Sequence, residues 1–261
     1  RFTAALDYSL DHRYGLVLKL AGIKKRAGFD YKGRGRFLTD KLKLEGYSDK
    51  HVVDYYLDLL KFIGINPAGR SLELVVPAQD KKRVKDELAA CGIKERESLI
   101  GIVPGGGESW GKDSYLKHWP AENFARLADR IVEKYAVKIL ILGGEAEAGI
   151  AESVLNRMNN KAINLAGKTD LPGLAALIDN LDILIANDGG PLHMAAALGK
   201  KTVSFFGPVD PIVYGPYPAD TRRHIVLNKK VSCHPCYQNF RLSKCIRDKE
   251  CLREISAEEA L

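Results

Sequence analysis

From Leu99 onward, short apolar runs alternate with stretches of helical spacing, and this alternation leaves few folds open to the chain. The runs "LIGIVPGGG", "VKILILGG", "AINLAG", "DILIAND" and "TVSFFG" read as strands. Between them "PAENFARLADRIVEKY", "EAGIAESVLNRM", "LPGLAALIDNL" and "PLHMAAALG" read as helices, with Phe124, Leu127, Ala128 and Ile131 recurring at helical spacing. Each strand leaves through Gly, Asn or Asp. That order predicts a parallel sheet wrapped by helices, a Rossmann-like lobe. Ligands of such sheets sit at the carboxyl ends of the strands, where the glycine-rich turns fall.

The first 95 residues or so read differently. Phe2 to Leu20 is predicted as a helix, "RAGF" as a short strand, "HVVDYYLDLLKFIG" as a helix and "LELVV" as another strand. The basic, glycine-punctuated "DYKGRGRFLTDKLKLEGYSDK" reads as a long surface loop. Two short strands do not make a stable sheet. Residues 1–95 are therefore expected to be an incomplete α/β lobe whose opening strands lie before Arg1, with "PAQDKKRVKDELAACG" leading into a second lobe over residues 96–261. There is no internal repeat, heptad pattern or low-complexity segment.

Among 261 residues, 46% are hydrophobic and 28% charged, the balance of a chain that can bury a core. No apolar run approaches the roughly 20 residues that span a bilayer, and the first residues lack a signal-peptide pattern. A net charge of +7 favours an anionic partner, or else reflects a lysine-rich solvated surface. The basic residues are dispersed, without interleaved aromatic platforms, so no nucleic acid is expected as a partner. Four of the five cysteines, Cys233, Cys236, Cys245 and Cys251, follow the spacing C-x2-C-x8-C-x5-C. Four clustered thiols can hold zinc, but this spacing is not that of a common zinc ribbon, and the preferred reading is a loop with incidental cysteines.

Three stretches carry candidate chemistry. In "NDGGPLHMAAALGKK", Asp188 follows a strand, Gly189 and Gly190 permit a sharp turn with exposed amides, Pro191 suits the first helical position, and His193 lies in the first turn. This can hold a diphosphate, with His193 donating to an oxygen and Asp188 accepting from a hydroxyl or capping the helix. A capped helix with a satisfied histidine is the plainer alternative. "GGGESWGKD" nearly matches a P-loop, with Gly106, Gly111 and Lys112 in place. It fails at Asp113, where a hydroxyl should stand, and no helix is expected to start there. "PGGG" reads instead as a loop whose bare amides approach a ligand, or as a tight turn. In "KHWPAENF", Lys117 can place a cation on a phosphate, Trp119 reads as a packing residue, and His118 is expected to be exposed.

Together "IGIVPGGGESWGKDSYLKHWPAENFARLADRI", "ILILGGEAE", "NLAGKTDLPGLAALI" and "ANDGGPLHMAAALGKKTVSFFGPVDPIVYGPY" resemble the family 9 glycosyltransferases, the ADP-heptose:lipopolysaccharide heptosyltransferases, in the family's order. "LAGIKKRAGFDYKGRGRFLT" is similar to that family's first lobe. The resemblance implies a GT-B arrangement, two Rossmann-like lobes with the nucleotide sugar held mainly by the second. It implies Lys117 as the catalytic contact to the diphosphate, Asp188, Gly189, Gly190 and His193 around the sugar diphosphate, and Gly106 and Gly107 along the same cleft. Glu145 is implied at the ribose and Thr169 near the adenine. The implied reaction is inverting transfer of heptose to the Kdo-lipid A inner core, with no metal or other cofactor and with a base expected upstream of Arg1. The implied partners are an ADP-sugar donor and an anionic lipopolysaccharide acceptor. The implied location is cytoplasmic, with peripheral contact at the inner face of the inner membrane. Two alternatives stay open: a relative using another nucleotide sugar or acceptor, and a nucleotide-binding module without catalysis.

Overall fold

A strand forms where backbone pairing and burial reward an extended run, and the described residues meet that condition in two parallel sheets and in a short antiparallel pair, Tyr237–Gln238 with Arg241–Leu242. The computed structural model describes residues 2–107 and 109–261. They divide into two units. One holds the residues up to Arg70 with Ile212–Tyr214 and Tyr237–Leu242, and the other holds Ser71–Pro211, Gly215–Cys236 and Ser243–Leu261.

In the first unit, β1 (Ala4–Asp7), α1 (His12–Leu20), β2 (Lys25–Tyr31), β3 (Asp40–Leu44) and α2 (Val52–Asp58) follow one another, and a 3₁₀ segment, Leu59–Ile63, extends α2. The strands form a parallel sheet in the order β1-β2-β3. Asp11 caps α1 by accepting the Arg13 N–H at 3.0 Å. Phe29, Leu44, Tyr55 and Leu59 make the core. Several expectations fail here. The predicted helix from Phe2 is a strand over Ala4–Asp7 and becomes helical only at His12, and "LELVV" forms no strand. β3 lies inside the predicted loop; in "DKLKL" two exposed lysines alternate with half-buried Asp40 and Leu42 and buried Leu44, and its charged face disguised it. Gly28 lets β1 and β2 come together, since a Cβ there would lie 2.6 Å from the Asp7 carbonyl oxygen.

The second unit contains α3 (Ala78–Ala90), β4 (Ser98–Val103), α4 (Ala121–Lys134), β5 (Val137–Ile141), α5 (Ala148–Leu155), β6 (Ile163–Asn164), α6 (Leu171–Asp179), β7 (Ile183–Asn187), α7 (Gly190–Ala197), β8 (Lys201–Phe206) and β9 (His224–Asn228). Its six strands are parallel in the order β6-β5-β4-β7-β8-β9. The chain runs outward from β4 through β5 and β6, then returns to the other side of β4 with β7. The point where strand order reverses is therefore the β4/β7 crevice, where a Rossmann sheet leaves room for a ligand. The predicted strands and helices are present. β9 was not foreseen, being an edge strand that buries only His224 fully. α3, expected to lead between lobes, packs within the second unit, with Arg83 on Asp170 at 2.7 Å and Lys81 on Asp179 at 2.8 Å. The core joins Ile102, Ile141, Ile185 and Phe205 of the sheet to Phe124, Leu127 and Ile131 of α4, to Trp119, and to Leu252, Ile255 and Ala257 near the C-terminus. Among the described residues, no helix is long and apolar enough to cross a membrane.

Candidate functional site

The turns after β4 and β7 lie backbone against backbone. A Cβ on Gly189 would sit 3.0 Å from the Gly106 carbonyl oxygen, and a Cβ on Gly106 would sit 3.1 Å from Cβ of Lys117. A Cβ at either position would require its neighbour to shift by a few tenths of an ångström, which glycine avoids. Asn187, the last residue of β7 and 1% exposed, ties the neighbourhood together. Its Oδ1 accepts the Trp119 N–H at 2.9 Å, and its Nδ2 donates to the carbonyls of Pro104 at 2.7 Å and Gly105 at 3.1 Å.

A 3₁₀ segment, Gly111–Lys117, delivers the lysine to this place, so a helical turn does begin at Gly111, contrary to expectation. The Lys117 ammonium pairs with Asp188 at 2.7 Å, with side chains 8% and 7% exposed, and lies 4.4 Å from the centre of the Trp110 ring. Asp188 therefore holds a cation rather than capping α7, whose N-cap, Gly189, has no side-chain cap. Gly190 faces open space and His193 is half-buried on the first turn of α7. Lys117, Asp188, Gly106 and Gly189 thus converge at the switch point. What they make together is an ammonium paired with a carboxylate, glycine turns and a helix N-terminus, and an anion that drew the ammonium away from Asp188 would meet positive charge from both the lysine and the helix.

A second group lies at the exits of β4, β5 and β6. The Glu147 carboxylate accepts the Gly107 N–H at 2.9 Å through Oε1 and the Gly144 N–H at 2.8 Å through Oε2, clipping two glycine turns together. Beside it a cavity of about 420 Å³ is lined by Gly107, Ser114, His118, Ala146, Glu147 and Ile150. His118, expected to be exposed, is half-buried in this lining. Burial holds its imidazole below the ordinary pKa, the Lys249 charge acts in the same direction, and Glu147 opposes both. Glu145 is exposed and Thr169 half-buried. Their loops adjoin, because the Gly167 N–H donates to the Gly143 carbonyl at 2.9 Å. Asp170, next to Thr169, caps α6 through the Gly173 N–H at 2.9 Å.

Sequence reasoning missed Asn187, Glu147 and Trp110. Only Asn187 carried a signal, as a polar residue closing an apolar strand. The cysteines carry free thiols. Burial, reinforced by neighbouring thiols, pushes Cys236 up to about 12 and Cys251 up to about 11, so both stay protonated at neutral pH. Among the described residues, no group of three or more His, Cys, Asp or Glu is placed to hold a metal.

Residues 1–246 match the family described as "Glycosyltransferase family 9 (heptosyltransferase)". The chain is 29% identical over 225 residues to lipooligosaccharide heptosyltransferase 2 of Campylobacter jejuni, covering 83% of this chain and 65% of that protein. It is 26% identical to lipopolysaccharide heptosyltransferase 2 of Escherichia coli K12, over 81% of this chain and 61% of the relative. The chain therefore spans less than two thirds of these relatives. The structure of Escherichia coli ADP-heptose lipopolysaccharide heptosyltransferase II shares its fold, with a TM-score of 0.75 at 22% identity over 99% of this chain and 74% of the other. The family 9 glycosyl transferase of Veillonella parvula has a TM-score of 0.75 at 26% identity, over 86% of this chain and 62% of the other.

Proposed function

The chain belongs to glycosyltransferase family 9 and has its α/β, GT-B type fold with Rossmann-like lobes, and from that premise we propose that the second unit binds an ADP-sugar for transfer of a heptose to the Kdo-lipid A inner core of lipopolysaccharide. The observation that carries this reading is the convergence of Lys117, Asp188, Gly106 and Gly189 at the β4/β7 switch point. The names of the similar proteins agree with it.

The reaction is inverting and needs no metal. An acceptor hydroxyl oxygen bonds to the anomeric carbon as the bond from that carbon to the diphosphate breaks. The electron pair leaves on the diphosphate oxygen and the hydroxyl proton passes to a base. Negative charge grows on the departing ADP. Lys117 would touch that diphosphate and offset its charge, helped by the amides of Gly189 and Gly190 and by the start of α7, where His193 would donate to an oxygen. Asp188 keeps the ammonium aimed while the site is empty of phosphate. Gly106 and Gly107 would line the cleft, Glu145 would meet the ribose and Thr169 would lie near the adenine. The working place is cytoplasmic, with peripheral contact at the inner membrane, where an anionic lipopolysaccharide acceptor is met.

A relative acting on another nucleotide sugar is the second reading, favoured by Thr169, the residue assigned to the adenine, being only half-buried, which leaves the base lightly held. Calorimetry with ADP, UDP and GDP separates the two. ADP is expected to bind tightest, and a preference for UDP would end the ADP-heptose assignment.

A further inference from the structure

We propose that Asn187 is a positioning residue that turns two consecutive amides of the glycine loop, those of Gly105 and Gly106, toward the donor's diphosphate. This rests on the reading of the second unit as an ADP-sugar site. The argument begins with the peptide unit, in which a trans bond points the carbonyl of one residue opposite to the N–H of the next. The Pro104–Gly105 and Gly105–Gly106 bonds are trans, the cis bonds among the described residues lying at Tyr217–Pro218 and His234–Pro235. Asn187 Nδ2 holds the Pro104 carbonyl at 2.7 Å and the Gly105 carbonyl at 3.1 Å. With both carbonyls drawn toward Asn187, the N–H groups of Gly105 and Gly106 must point away from it.

Neither N–H has a hydrogen-bond partner among the described residues, although both glycines are buried. Buried amides without partners are uncommon, and successive amides on one side of a loop form a concavity suited to an anion. The next amide, that of Gly107, already binds a carboxylate, Oε1 of Glu147 at 2.9 Å. Lys117 adjoins the same loop, its Cβ 3.1 Å from where a Gly106 Cβ would be. Asn187 itself is 1% exposed and all three of its side-chain contacts are to backbone, so its effect on a ligand passes through the loop.

The test compares ADP with adenosine, which lacks phosphate. Asn187→Asp keeps the oxygen that accepts the Trp119 N–H but sets a second oxygen against the two carbonyls, releasing them. ADP binding is expected to weaken by about tenfold or more, with adenosine affinity kept within about twofold, as loss of a hydrogen bond to a charged group implies. Asn187→Ser, which retains one donor, is expected to fall between this variant and the parent protein. Equal losses for both ligands, or unchanged ADP affinity, would overturn the positioning role. If the parent protein binds ADP no better than adenosine, the ADP-sugar reading fails first and takes this inference with it. A variant that does not fold is bypassed by hydrogen exchange on the parent protein. ADP, unlike adenosine, should slow exchange at Gly105 and Gly106, and the absence of that slowing would equally overturn the inference.

Discussion

Lys117 and Asp188 are each other's charge balance inside the second unit, and removing one should cost more than removing both. Two unit charges 2.7 Å apart attract by about 6 kcal/mol at an effective dielectric near 20. Taking both from water offsets much of that attraction, so the pair adds little net stability over an uncharged equivalent. A single partner left behind has no such compensation. Lys117→Met, which keeps the apolar stem, strands a carboxylate that is 7% exposed, and the expected loss is roughly 3–5 kcal/mol. Asp188→Asn strands the ammonium at a similar cost. The double variant should lose no more than either single one, giving a coupling of at least about 3 kcal/mol, at the top of what contacting residues show. Urea unfolding of the four proteins, followed by far-ultraviolet circular dichroism because Trp110 lies against Lys117 and would perturb an emission signal, measures each step, and a constant slope confirms that only stability has changed. Singles that each cost less than about 1 kcal/mol, or that simply add, would refute the reasoning. The pair would then behave as a solvated surface contact.

Two further outcomes are expected. Trp119 is 0% exposed, stacked 3.9 Å from Phe205 and edge-on to Phe124 at 4.8 Å, so Trp119→Ala should lose about 3–5 kcal/mol in thermal unfolding, whereas a loss under about 1 would place the ring outside the core. Burial holds His224 below its ordinary pKa, with Thr202 Oγ1 3.0 Å from its Nδ1, so the folded protein binds this proton less readily than the unfolded chain. Its contribution is fully present above about pH 6.5 and is lost as pH falls through the lower folded value; His224→Gln should flatten that decline in unfolding midpoints between pH 5 and 8, and an unchanged decline would clear His224 of the role.

The second sheet was legible because its strands are apolar throughout and leave through glycine or aspartate, a pattern that needs no partner to be recognised. β9 was not, since an edge strand with Ile225 53% exposed lacks that contrast. β1 and β3 hid for different reasons. "AALD" fits a helix as well as a strand until β2 pairs with it, and "DKLKL" shows a charged face to solvent. In the candidate site, the glycine turns, Lys117 and Asp188 were legible as residue types with a chemistry, but their mutual pairing was not. Asn187 and Glu147 act on backbone groups 83 and 40 residues away, respectively, and such approaches exist only once the sheet has set its order.

The packing of Trp119 also bears on how the chain is made. Its indole N–H reaches the Ile255 carbonyl at 3.0 Å, and Leu252 lies so close to Gly207 that a Cβ there would come within 2.8 Å of it. The keystone of the core thus comes from residues translated after every strand of the sheet. A nascent chain that has already extruded β4 to β9 still presents Trp119, Phe124 and Phe205 without their covering residues, and it can close over them only when Leu252–Ala257 clear the ribosome. The last step in folding this unit therefore waits on Leu252–Ala257, leaving an interval in which an apolar aromatic cluster is open to chaperones or to other nascent chains.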